Sequence, residues 1–360
     1  MRESGGIPMS DPRQTSMARF LDGAGWGDAE MRPLAGDASK RRYLRLVRAD
    51  GTRAVLMDAP PHPETRTTAF VALTDWLRAE GFSAPEPLAM DVEQGFIVLE
   101  DLGDALYVRV AERHPESEWS LYSGAVDLLA DLADIPAPAE VGRDVRAPLR
   151  PYDMSEHLRE ARLVPQWYLP GATGQPVSES MAADYDGLVR EACARVASAH
   201  NRVVLRDYHA ENLIWRAERR GIRRVALLDY QDAMAGHAAY DLMSLLEDAR
   251  RDTSEELQKG MIRHFLDRRP DLHEEAFRAD YAALAAVRNL KIMGIFARLA
   301  MRDRKARYTE FMPRVWRHLS RDLAHPALAP LGAWVEAHVP PPDGSVRARI
   351  ATLAEQPETV

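Results

Sequence analysis

Val203-Val-Leu-Arg-Asp-Tyr-His-Ala-Glu-Asn-Leu-Ile-Trp215 and, after a polar segment, Val225-Ala-Leu-Leu-Asp-Tyr-Gln-Asp232 decide how this chain is read. Two apolar runs, Leu213 to Trp215 and Val225 to Leu228, flank the turn Arg216 to Arg224, which carries Gly221 as its breaker. That pattern predicts a β-hairpin. In an antiparallel pair the start of the first strand lies about 5 Å from the end of the second. Asn212 directly precedes the first strand and Asp229 directly follows the second, so a carboxamide oxygen and a carboxylate are expected at one point. Asp207 sits in the loop feeding the hairpin. Three hard oxygens from one short segment suit Mg²⁺, which is held by one or two carboxylates together with substrate phosphates.

Asp207-x-x-x-x-Asn212, a hairpin and then Asp229 resemble the catalytic core of the protein-kinase-like superfamily. More narrowly they are similar to its aminoglycoside phosphotransferase and choline kinase branch, where a His usually stands two residues before the Asp; here that position is Leu205. Asp-x₄-Asn alone is a weak signal, and its combination with the hairpin and Asp229 is a strong one. The resemblance implies an α+β, bilobal protein-kinase-like fold, with a small β-rich N-terminal lobe and a larger, mainly helical C-terminal lobe. It implies ATP and Mg²⁺ as cofactors, Asp207 as the base that takes the acceptor's proton, and Asn212 and Asp229 as metal ligands. It also implies that Asp241, in Tyr240-Asp241-Leu242, braces the catalytic loop and has no chemical role.

Upstream, Tyr43 to Val47 and Ala54 to Met57 read as strands around the hairpin signal Asp50-Gly51. Before them lies Gly36-Asp-Ala-Ser39, small residues whose backbone N–H groups can approach a phosphate. By itself the stretch reads as an ordinary β-turn; the resemblance implies that the phosphate loop lies here, which makes Gly36, Asp37 and Ser39 candidate nucleotide contacts. The superfamily usually places a phosphate-binding Lys on the second of these strands; the matching residue here is Met57, and a thioether cannot replace an ammonium. Arg41, Arg42 or Arg45 is the expected substitute, with Arg42 favoured, unless activity is weak. Gly95 to Gly103 reads as a buried strand resembling the superfamily's hinge, which marks Glu100 and Leu102 as the place where adenine is read.

Residues 1–15 are polar and are expected to be a disordered extension. Residues 16–103 are expected to form the N-terminal nucleotide-binding lobe, 104–338 the catalytic and substrate lobe, and 339–360 a tail. Helices are expected from Ala18 to Gly27, Ala69 to Glu80, Trp119 to Asp134, Tyr152 to Gln166 and Met181 to His200, with further helices beyond Leu242.

Composition narrows the function. The chain has 360 residues, 46% hydrophobic and 28% charged, with a net charge of −8. A large core is possible and disorder is not the default. No sustained basic stripe supports nucleic-acid binding, and no run of 18 or more apolar residues supports a membrane span. A Walker phosphate loop is absent. The single cysteine, Cys193, cannot form an internal disulfide. The opening residues lack the apolar run of a secretory leader, and a cytoplasmic location is expected.

Two further stretches narrow the acceptor. Gly36-Asp-Ala-Ser with Met57-Asp-Ala-Pro-Pro61, and Arg288-Asn-Leu-Lys-Ile-Met-Gly-Ile-Phe-Ala-Arg298 with Pro313-Arg-Val-Trp316, resemble the N-acetylmuramate/N-acetylglucosamine anomeric kinases of peptidoglycan recycling. The likeness spans roughly residues 30 to 335. It implies a small-molecule acceptor, an amino sugar phosphorylated at its anomeric hydroxyl. It makes Glu160, Trp167, Arg288 and Lys291 candidates for the sugar pocket, since a Trp face suits a sugar ring and a cation suits the lactyl carboxylate of muramic acid. Aminoglycoside phosphotransfer, a choline- or homoserine-type kinase, and a nucleotide-binding pseudokinase scaffold remain as alternatives.

Overall fold

The computed structural model describes residues 11–34, 41–62 and 65–353. Gly36, Asp37 and Ser39 lie outside them. The chain divides into two compact units: one gathers residues up to Asp104 together with Glu140–Pro148 and Ala226–Gln231, and the other takes Ala105–Ala139, Leu149–Val225 and the residues from Asp232 onward. The fold is α+β, with an antiparallel sheet toward the N-terminus and helices beyond it.

The first unit is built on a five-stranded sheet of β1 (Glu30–Pro33), β2 (Arg42–Val47), β3 (Arg53–Asp58), β4 (Pro87–Asp91) and β5 (Phe96–Glu100), ordered β1-β2-β3-β5-β4. All neighbours are antiparallel. Gly51, at φ +84°, makes the β2–β3 turn, a conformation glycine adopts at no steric cost. Side chains alternate between faces. Leu44, Leu46, Ala54, Leu56, Phe96 and Val98 share one face and pack with Leu21 and Trp26. Tyr43, Met57 and Ile97, paired across β2, β3 and β5, project from the other.

Helix α1 (Pro12–Gly23) covers the first face, and Phe20 stacks on Phe96 at 5.6 Å. It opens inside the stretch expected to be an extension, and six residues before the expected Ala18. Asp11 explains the early start: its side chain accepts the Arg13 N–H, and Pro12 supplies a pre-set first-turn φ. Helix α2 (Thr67–Ala79) belongs to the same unit and buries Phe70, Val71, Leu73 and Leu77.

The second unit is helical. Its centre is the 28-residue helix Glu274–Met301, which buries eighteen residues, among them Tyr281, Ala285, Arg288, Asn289 and Met293, and so presents no polar face of normal width. Around it lie Glu118–Leu132, Met154–Ala161, Glu179–Cys193, Ala239–Leu246, Glu255–Arg268 and Met312–Leu323. The expected helix Tyr152 to Gln166 is shorter. Asp153 caps it at Met154, it stops at Ala161, and a π-helical turn follows over Val164–Tyr168. Pro165 sits in that turn, where its missing N–H breaks the regular ladder. A final helix, Gly344–Leu353, lies inside the stretch expected to be a tail. Asp343 accepts the Val346 N–H at 2.9 Å, and Ile350 is fully buried, which anchors it.

Candidate active site

In the second unit the loop 205–212 is held from several sides. The Asp241 carboxyl accepts the Leu205 N–H at 2.6 Å and the Arg206 N–H at 2.8 Å. Tyr208 is buried and donates to the Ala125 carbonyl at 2.8 Å. Asn212 donates its Nδ2 to the Asp207 carbonyl at 2.9 Å, and its Nδ2 also lies 3.3 Å from His209 Nε2. With its nitrogen so engaged, Asn212 offers Oδ1 to a cation. The hairpin then runs through strands Leu213–Trp215 and Val225–Leu227, and its turn is closed by the Arg216 N–H on the Arg224 carbonyl at 2.7 Å.

Arg206 stands immediately before Asp207 and adopts φ +73°, a conformation side chains of its size rarely take. Its backbone N–H and carbonyl and its terminal guanidinium nitrogen are engaged to hold it there, while Nε is buried without a partner. Its N–H is on Asp241, its carbonyl accepts the Ser244 hydroxyl at 3.2 Å, and its guanidinium donates to the Glu160 carboxylate. Lys291 Nζ reaches the same Glu160 oxygen at 2.9 Å, and the Tyr152 hydroxyl donates to the other. Burial by itself would push Glu160 up; Lys291 and Arg206 outweigh it and hold the carboxyl down at about 2. For Asp241 burial prevails and pushes the group up to about 7, against the two backbone N–H bonds that favour its anion.

The sugar-pocket candidates thus separate. Glu160 and Lys291 meet in this buried network. Arg288, 8% exposed, donates to Ser244 Oγ at 2.8 Å and keeps a second buried terminal nitrogen, Nη1, without a partner. Trp167 is half-buried on the π-turn, and among the described residues no ion pair or ring contact ties it to the other three.

Asp229 belongs to the first unit. It too is left-handed, at φ +57°. Tyr230 behind it is buried, stacks on Phe70 at 5.4 Å and shares a 2.6 Å hydrogen bond with Thr74 Oγ1. Asp229 Oδ1 accepts Arg41 Nη2 at 2.6 Å and Gln231 Nε2 at 3.1 Å. That leaves Oδ2 of a partly exposed side chain as the oxygen for a cation. Taken singly, a carboxylate oxygen and a carboxamide oxygen are each donors of the hard kind a divalent ion takes.

Arg42, favoured from the sequence as the phosphate contact, is engaged elsewhere. It is opposite Asp58 in the β2–β3 register, on the face that packs under α1, and it donates to the Asp58 carboxylate beside Arg13. Arg45 pairs with Asp101 and Asp104. Parity explains the correction: residue 42 projects with Leu44 and Leu46, whereas residue 41 continues the series of Tyr43 and Met57. Glu100 ends β5, with its Oε2 3.4 Å from the Glu86 N–H, and Leu102 follows half-buried. Arg206, Ser244 and Gln231 also belong to these networks. Arg206 carried one available signal, its place directly before Asp207.

The antiparallel sheet of the first unit and the helical second unit make a kinase-like fold, and the comparisons give the family. The chain belongs to the phosphotransferase enzyme family, whose model matches residues 30–287; it is an enzyme that transfers phosphate to a hydroxyl acceptor. It is 38% identical to the N-acetylmuramate/N-acetylglucosamine kinase of Caulobacter vibrioides, over 93% of this chain and 99% of that protein. The kinase of the same name from Pseudomonas aeruginosa is 34% identical over 86% of this chain and 89% of its own length. Among solved structures, an ADP-bound aminoglycoside phosphotransferase matches with a TM-score of 0.56 at 14% identity, covering 86% of this chain and 99% of that one. An amicoumacin kinase in complex with AMP-PNP and Ca²⁺ gives 0.56 at 14%, over 88% and 97%. These two share the fold. No helix among the described residues is long and apolar enough to cross a membrane.

Proposed function

We propose that this enzyme phosphorylates the anomeric hydroxyl of N-acetylmuramate and N-acetylglucosamine with ATP and Mg²⁺, in the cytoplasm, as a step of cell-wall sugar recycling. The observation that carries the acceptor is the 38% identity to a kinase of that name over 93% of the chain and nearly the whole of the relative. Likeness of this extent includes the helical unit, where acceptors are bound.

Asp207 is the proton acceptor. Its backbone is fixed on one side by the left-handed Arg206 and on the other by Asn212, which limits how far the carboxylate must move to meet an acceptor. A loose phosphoryl transition state releases the acceptor proton late, so positioning matters more than basicity. Asn212 Oδ1 and Asp229 Oδ2 would hold Mg²⁺, which when bound neutralises charge on the phosphates. The loop Gly36, Asp37 and Ser39, with Glu100 and Leu102, would contact the nucleotide. Arg288 supplies the acceptor pocket: its buried, unpartnered Nη1 is the donor a sugar oxygen or a lactyl carboxylate satisfies. Glu160 and Lys291 act behind it, since Lys291 is spent on Glu160, and Glu160 on Lys291 and Arg206.

The test is ADP release by the purified chain with MgATP and N-acetylmuramate, N-acetylglucosamine, kanamycin or choline in parallel. The two amino sugars are expected to turn over, and the phosphate on the product to be lost in mild acid, as glycosyl phosphates are. Turnover with kanamycin or choline alone, or an acid-stable sugar phosphate, overturns the acceptor assignment.

A further inference from the structure

We propose that Arg41, at the head of β2, is the residue that meets the nucleotide's phosphates, in place of the Lys that this fold usually carries on β3. The proposal rests on the reading of ATP as phosphate donor. Three observations within the first unit support it.

The β3 position is closed to a cation. Met57 is fully buried. The chain has four lysines: Lys40 lies outside the described residues, and Lys259, Lys291 and Lys305 lie outside the five strands. Lys259 is on the helix Glu255–Arg268 paired with Glu255, and Lys291 is bound to Glu160.

Arg41 is also on the right face. It directly precedes β2, two residues before Tyr43, and its guanidinium turns to Asp229 and Gln231 and not to the Asp58 carboxylate that takes Arg42. Arg42 and Arg45 each answer to a different carboxylate.

Finally, Arg41 is built in. Only 8% exposed, it places Nη2 on Asp229 Oδ1 at 2.6 Å and Nη1 on Gln231 Oε1. The Gln231 amide bonds the same Asp229 oxygen, so guanidinium, carboxamide and carboxylate bond one another. If Asp229 holds the metal through its other oxygen, a cation fixed against Oδ1 would lie within reach of the phosphates. The planar fork of Arg can serve a carboxylate and a phosphate together, which the point charge of Lys does less well.

The experiment titrates the full chain with AMP-PNP and Mg²⁺ by calorimetry, with adenosine as a probe lacking phosphates. Arg41→Ala is expected to weaken AMP-PNP binding tenfold or more and to leave adenosine within about twofold. In turnover the KM for ATP rises while the KM for the sugar holds. Arg41→Lys is expected to recover part of the loss. If Arg41→Ala lowers the melting temperature sharply, Arg41→Gln, which keeps donors for Asp229, gives the same comparison. AMP-PNP binding unchanged in both Arg41 variants overturns the proposal, as does an equal loss of adenosine, or a loss seen with Lys40→Ala or Arg42→Ala and not with Arg41→Ala. Failure of the unaltered chain to bind AMP-PNP would instead overturn the reading of ATP as donor.

Discussion

Arg206 donates its backbone N–H to the Asp241 carboxyl at 2.8 Å, so a residue in a strained conformation is tied to a buried acid directly ahead of Asp207. Asp241→Asn leaves one of two buried backbone N–H groups facing another N–H, at a cost of about 1–3 kcal/mol. The cost depends on pH. Asp241 is raised from its usual carboxyl value to about 7, so between about pH 4 and 7 the folded chain holds a proton that the unfolded chain has lost. Native stability from this group therefore falls as pH rises through that window, by up to about 1.4 kcal/mol per unit. Urea unfolding at pH 4.5 and 7.5 is expected to show the wild-type margin over Asp241→Asn shrinking with rising pH. A margin that grows contradicts the assignment.

Glu160 carries the opposite sign. Lowered to about 2 in the fold by Lys291 and Arg206, it contributes stability that is complete above about pH 4.5 and is lost as pH falls toward 2. Glu160→Gln leaves two buried cations without their counter-charge and is expected to cost about 3–5 kcal/mol at pH 7. The gap to wild type should close in acid. Because Arg206 loses its anchor, kcat is expected to fall more than the sugar KM rises. A rise confined to the sugar KM would instead make Glu160 a direct sugar contact.

How much of this could be read from the chain depends on the range of the interactions. The hairpin after Asn212 was legible because turn chemistry and two apolar runs are local. The β2–β3 hairpin was legible for the same reason, through Asp50-Gly51. The choice between Arg41 and Arg42 turns on strand parity, which counting back from Tyr43 could have given. The Glu160 network was not legible, because it joins residues 152, 160, 206 and 291, and only packing brings those together. The same holds for the placing of Glu140–Pro148 and Ala226–Gln231 with the first unit. The caps at Asp11 and Asp343 were local signals passed over in favour of composition.

Gly294 lies on the long helix where it meets the π-turn segment. A Cβ there would stand 2.5 Å from the Leu163 carbonyl carbon, a backbone atom that cannot swing aside. Gly294→Ala is expected to destabilise the fold by about 1–3 kcal/mol, outweighing the better helix propensity of alanine. Since Lys291 is one turn away on the same helix, the sugar KM is expected to rise with it. Thermal unfolding checks the first effect and steady-state kinetics the second. A variant as stable as wild type would mean that the helix and the π-turn are not packed as described.

The central claim is that Asp207 takes the acceptor's proton while Asn212 and Asp229 hold the metal at the phosphates. It is tested most directly by kcat for N-acetylmuramate phosphorylation in Asp207→Asn, measured beside the affinity of the same protein for AMP-PNP with Mg²⁺. The account predicts a fall in kcat on the order of a thousandfold or more, about 4 kcal/mol of barrier, with nucleotide affinity kept. A kcat within tenfold of wild type would contradict it.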